Sequence, residues 1–170
     1  MGASQIPAAS TGGATSDNYV LISSVTPTAA ASTVSFTSIS GYRKLMFRWL
    51  DTTLATSGSV NITFNSDTGA NYAYGKVAGT STMSNSQTQK DTKIALNTGT
   101  GTSQLGATYI IDGINNSGPK TFQAFGSSSG DTNLLVNGVY YASAPITTAT
   151  LNTTSTFSGV GTVALYGVAA

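Results

Sequence analysis

Apolar and polar side chains alternate with a period of two along most of the chain from Tyr19 onward, and no segment keeps a helical period for three turns. The clearest case is RKLMFRWLDTTL (43–54). There Leu45, Phe47 and Trp49 point one way and Lys44, Met46 and Arg48 the other, which predicts a long strand with one core face and one wetter, partly basic face. SVNITFN (59–65) repeats the pattern with Val60, Ile62 and Phe64 inward, and TVSFTSI (33–39) does so with Val34 and Phe36. Further strands are expected at 19–25, 72–77, 93–97, 107–114, 120–126, 134–142, 146–151 and 161–168. Gly, Asn, Asp and Pro bound them, with turn chemistry at Asp112-Gly113, 115–120, 127–131 and Asn137-Gly138. About ten short strands at this spacing read as an all-β, antiparallel β-sandwich, jelly-roll-like. A β-prism or an intertwined trimeric fold is the alternative. The plain stretches 79–92 and 97–106 read as exposed loops, where binding usually sits.

Residues 1–17 show no period, and contain Pro7 and the pair Gly12-Gly13. They predict an extended N-terminal arm that orders against a partner, with Gln5, Ile6 and Pro7 as contact residues; a terminus without order is the alternative. Residues 18–170 then form a single β-sandwich domain, since a chain of 170 residues is long enough to bury one sizeable core. The first residues lack the basic region and apolar core of a secretory leader, and Ile6 stands where a myristoylation signal needs Ser or Thr. No apolar run is long enough to span a bilayer, so no membrane partner is expected.

Charge changes the picture mainly by its scarcity. Charged residues are 8% of the chain, against about 25% in an average domain, and they nearly cancel to +1. Nothing steers such a surface to nucleic acid. All six acidic residues are Asp, and Glu, His and Cys are absent. That removes Ser-His-Asp and Cys-His nucleophiles, thiolate or imidazole metal sites and paired Glu acid/base chemistry, so neither an enzyme nor a cofactor is expected. With 39% hydrophobic residues the chain builds a core, and it stays soluble through hydroxyls and amides, a habit suited to extracellular assemblies.

Three sets of residues are candidates for binding. Asn65, Asp67, Gly69 and Asn71 recur two apart, as ligand positions of a calcium loop do, with Asn65, Asp67 and Asn71 supplying side-chain oxygens, but Lys76 stands at loop position twelve, where a closing carboxylate belongs. An Asx-type turn, with Asp67 and Asn71 capping backbone N–H groups, is the favoured reading. Tyr72, Tyr74, Tyr140 and Tyr141 flank expected turns, where they offer faces for stacking on a sugar; Tyr is also an ordinary strand residue. Trp49, in mid-strand, is expected in the core. Arg43, Lys44 and Arg48 form a basic cluster suited to an acidic patch on a partner, or simply to a solvated face.

SISGYRKLMFRWLDTT (38–53), NITFNSDTGANYAY (61–74) and FSGVGTVALYGV (157–168) together resemble a β-sandwich domain of structural proteins of tailed bacteriophages, especially aquatic ones. The matching positions are Tyr42 and Leu45, then Phe64, Asn65, Asp67, Thr68, Gly69, Asn71 and Tyr72, then Leu165, Tyr166, Gly167 and Val168. The resemblance implies a virion location and no particular chemistry. The expectation is a non-enzymatic bacteriophage virion structural protein, made in the host cytoplasm and carried on the particle surface. A capsid decoration (cement) protein is favoured over a fibre, because arm and sandwich fill the chain and leave no repetitive shaft. It would be a homotrimer anchored by its arm to the major capsid protein or another virion protein. The alternative is a tail or fibre-tip receptor-binding protein recognising host-surface glycan through 79–92 and the tyrosines. A secreted carbohydrate-binding module or glycan hydrolase is a third reading, disfavoured by the missing export signal and the missing Glu.

Overall fold

The alternation in the sequence becomes twelve antiparallel strands in a computed structural model that describes residues 17–79, 83–99, 104–128 and 133–170. The large sheet runs, edge to edge, β1 (Val20–Val25), β12 (Thr162–Ala169), β3 (Tyr42–Thr53), β8 (Gln104–Asp112), β9 (Lys120–Ser128), β10 (Asn133–Tyr140), β5 (Tyr72–Gly79) and β6 (Met83–Asp91). The small sheet runs β2 (Thr33–Phe36), β11 (Ala149–Thr153), β4 (Gly58–Phe64) and β7 (Ile94–Gly99). The two pack face to face as an all-β antiparallel sandwich around one apolar cluster.

Period-two burial places the core as expected. Leu45, Phe47 and Trp49 of β3 are buried, as are Val60, Ile62 and Phe64 of β4 and Val34 and Phe36 of β2. Each such side chain contributes roughly 1.5–3 kcal/mol by leaving water. Phe36 meets Phe47 across the two sheets at 5.9 Å, and Trp49 sits edge-on to Tyr109 and Phe157. The register of β3 slips between Trp49 and Thr52, where Asp51 takes a left-handed φ of 53°. This bulge buries Thr52 and leaves Asp51 outside. Gly161, at φ +80°, lies so close that a Cβ there would stand 2.5 Å from the Asp51 backbone.

Two separated parts of the sequence resemblance meet in the large sheet. Tyr42 opens β3 and covers Gly167 of β12, where a Cβ would come within 2.3 Å of the Tyr42 ring. The glycine makes room for the aromatic ring of the neighbouring strand.

The sequence expectation needs correction at several points. Residues 83–91 of the expected loop 79–92 are a strand, β6, at the edge of the large sheet. Its residues MSNSQTQKD have no apolar alternation because β6 pairs through its backbone with β5 and its side chains from Ser84 on are largely exposed. The expected loop 97–106 likewise lies within β7 and β8 except for 100–103, which fall outside the described residues. Asn137-Gly138, read as a turn, sits inside β10, and Ser127 and Ser128 belong to β9. Gly138 is there because nothing larger fits: a Cβ would meet Ala73 O at 2.3 Å, Phe122 Cζ at 2.4 Å and Tyr74 Cβ at 2.7 Å. The strand expected at 146–151 begins at Ala149, although Ile146 is buried.

Gly138→Ala is expected to destabilise the protein by about 1–3 kcal/mol through overpacking. Gly75→Ala, opposite Asn137 on the outer face and with nothing within 4 Å of the added carbon, is expected to be neutral or mildly stabilising. Urea unfolding midpoints check both; equal losses would refute the packing account.

Candidate functional site

The turn after β4 is built on a left-handed pair, Asn65 at φ 53° and Ser66 at φ 54°. Asn adopts that conformation more readily than most residues, because its short amide bonds locally. Its carbonyl oxygen accepts the backbone N–H groups of Thr147 at 2.8 Å and Thr148 at 3.2 Å, and its Nδ2 donates to Pro145 O at 2.8 Å. Asn65 therefore pins the segment entering β11. Asp67 Oδ1 accepts the Gly69 N–H at 2.7 Å, while Oδ2 accepts Asn71 Nδ2 and the Tyr140 hydroxyl, both at 2.9 Å.

Below this turn lies an aromatic block. The rings of Tyr72 and Tyr140 stack at 4.7 Å and 16°, with Phe64 tilted against both. Phe64 N–H donates to Tyr72 Oη at 3.0 Å. Burial, opposed by that bond, pushes the Tyr72 pKa up to about 12. Burial and the Asp67 bond also raise Tyr140. Burial pushes Asp67 up, but the bonds from Asn71, Gly69 and Tyr140 more than offset it and hold the carboxyl below its ordinary 3.8.

This geometry makes the turn a joint between β4, β5, β10 and the entry to β11. A cation at Asp67 would have to displace three hydrogen-bond donors from the turn's single carboxylate. Lys76 is outside the turn, within β5, and among the described residues no three His, Cys, Asp or Glu side chains gather as a metal site would require. Asp67 caps a backbone N–H as an Asx turn does; the Asn71 side chain instead donates to Asp67, a correction to its expected capping role.

The tyrosines are corrected as a glycan platform. Tyr72, Tyr74 and Tyr140 are 0%, 8% and 1% exposed and offer no face to a sugar, whereas Tyr141 is 55% exposed. A strand flanking a turn points alternate residues inward, and these three fall on the core side of β5 and β10.

The basic cluster divides in two. Arg43 and Lys44 both bind Asp17, Arg43 Nη2 at 2.7 Å from Oδ1 and Lys44 Nζ at 2.6 Å from Oδ2, and Lys44 also reaches Asp112 at 3.1 Å. Hydrogen bonds from Lys44 and then Arg43 lower the Asp17 pKa, and the bond to Asp17 raises that of Lys44. Asp17 thus fixes the root of the N-terminal segment to β3. Gln5, Ile6 and Pro7 lie outside the described residues. Arg48 stands exposed on the outer face of β3 and makes no ion pair among the described residues.

Sequence reasoning missed Asp17, which no local pattern marks, and Lys120. The latter is wholly buried at the start of β9 and donates to Ala142 O at 2.6 Å and Ala144 O at 2.7 Å; burial lowers its pKa. It ties down the segment that follows β10. No family model matches the chain, and no curated protein matches it.

Asp67→Ala strands the Tyr140 hydroxyl and the Gly69 N–H and is expected to cost about 2–4 kcal/mol, while added calcium or a chelator leaves the wild-type melting temperature unchanged. A calcium-dependent rise in melting temperature would refute the joint. The pH dependence follows from the signs. Asp67, held below 3.8, contributes stability that is complete above that value and lost as pH falls through its folded pKa. Tyr72, raised from 10.0 to about 12, contributes stability that is complete below pH 10.0 and lost between 10.0 and about 12. Tyrosinate absorbance from the core tyrosines is expected to rise together with loss of the strand circular dichroism signal. Ionisation of all eight tyrosines near pH 10 in a still-folded protein would contradict this.

Proposed function

We propose that the chain is a non-enzymatic structural protein of a bacteriophage particle: a capsid decoration protein, carried on the particle surface as a homotrimer and mounted through its N-terminal arm on the major capsid protein or another virion protein. The observation that carries the reading is the fork of Asp17 on Arg43 and Lys44, which roots the N-terminal segment on a strand of the large sheet. An arm that must hold a domain on a particle needs such a root. The three stretches that resemble phage structural domains support it further, because two of them meet at Gly167 and Tyr42 and the third forms the Asp67 joint. The alternation of the chain between sheets from β1 to β4, and again over β11 and β12, supports the jelly-roll-like reading of the core.

Deletion of residues 1–16, leaving Asp17 in place, is expected to abolish association with particles while the melting temperature stays near wild type. Normal decoration by the truncated protein would refute the arm. In purified virions a copy number comparable to that of the major capsid protein supports decoration, and a small fraction of it points to a tail or vertex appendage.

A further inference from the structure

The small sheet packs on one face of the large sheet, and among the described residues no strand lies on the opposite face. Register across that outer face aligns Leu21, Tyr166, Met46 and Ile110 in one row that continues into Gln123 and Asn137. The next row sets Arg48 beside Thr108, then Phe125, Leu135, Val77 and Asn85. Phe125 is 48% exposed and Leu50, on the same face of β3, 41%. Lys44 and Asp112 neutralise each other at one margin, and among the described residues Arg48 makes no ion pair on the face.

We propose that copies of this chain join to one another through this outer face. Two arguments favour a second copy as its occupant. The six strands from β12 to β5, spaced ~4.8 Å apart and rising ~3.3 Å per residue, present about 700 Å², close to the ~800 Å² that each partner contributes to a stable interface. The chemistry is also self-complementary. Amides and hydroxyls such as those of Gln123, Asn137 and Thr108 carry both donor and acceptor, so each is able to pair with groups of the same kind on neighbouring copies arranged about a symmetry axis; Arg48 finds amide carbonyls there. A charged partner surface would lose hydration on this face and meet almost no counter-charge. Interfaces are enriched in aromatic residues, Met and Arg and depleted of other charges, which is the composition around Phe125, Met46 and Arg48.

This deepens the homotrimer part of the reading above, and light scattering with sedimentation equilibrium tests it separately from particle binding. The wild-type protein is expected to be an oligomer. Phe125→Asp with Leu135→Asp is expected to yield a monomer with unchanged circular dichroism. Because the chain has no cysteine, Thr108→Cys gives a second readout: Thr108 is already half-buried in the single chain, so its thiol is expected to react with a soluble maleimide at least tenfold more slowly in the otherwise wild-type chain than the same thiol in the chain that also carries Phe125→Asp and Leu135→Asp. An oligomer that withstands the double substitution, or equal reactivity of the thiol in the two chains, overturns the interface and leaves the virion reading standing. A monomeric wild type overturns it too; if Phe125→Asp then abolishes particle binding, the face belongs to a capsid partner. Failure of the protein to appear in virions sinks the virion reading and leaves the interface untouched.

Discussion

A sheet of eight strands packed on a sheet of four has more surface than its partner can cover, and this mismatch governs the rest of the molecule. Each strand near the middle of the large sheet gives alternate side chains to the core and turns the others to the opposite face. Where the small sheet ends, inward alternation loses its purpose. β5 is therefore buried at Tyr72 and Tyr74 and half-buried beyond them, and β6 needs no apolar face at all. The wide sheet also sets the demand for close-fitting glycines, since Gly138 and Gly167 sit where a neighbouring chain or ring comes nearer than a Cβ allows.

With charge so scarce, most of the ionisable groups discussed above serve as connectors. Asp67 gathers three donors, Lys120 bridges two carbonyls and Asp17 ties two basic residues. The first two hold segments without regular structure against strands. The backbone polar groups of those segments would otherwise lie unpaired at the edge of the core, at a cost of about 1–3 kcal/mol each. Neutral amides do the same work, as Asn65 does for Thr147 and Thr148.

Strands with a strong alternation were legible from the sequence, because burial on one face is what alternation records: β2, β3 and β4 show the expected inward residues. β6 was illegible for the converse reason, as an edge strand held by backbone pairing writes nothing into its side chains. Asn137-Gly138 misled because the same glycine that suits a tight turn also suits a close approach between strands, and only the packing of Ala73 and Phe122 distinguishes them. At the candidate site, the spacing over 65–72 marks the turn, but the partners of Asp67 and Asn65, Tyr140 and Thr147, lie more than seventy positions away. Proximity to a turn does not fix which side of a strand a tyrosine takes; the pairing of β5 and β10 turns Tyr72, Tyr74 and Tyr140 to the core. Asp17 gave no signal, since its meaning depends on where β3 begins in space.

The fork at Asp17 has a mechanical meaning. Among the described residues β1 is an edge strand bonded to β12, and a pull on the N-terminus transmitted straight into it would act on one seam of the sheet. Asp17 diverts that tension sideways into β3, which is bonded on both flanks by β12 and β8. Exposed ion pairs are each worth at most about 1 kcal/mol, so under rising force the fork yields before the strands do. Such a load would free residues 17–19 before it reached β1.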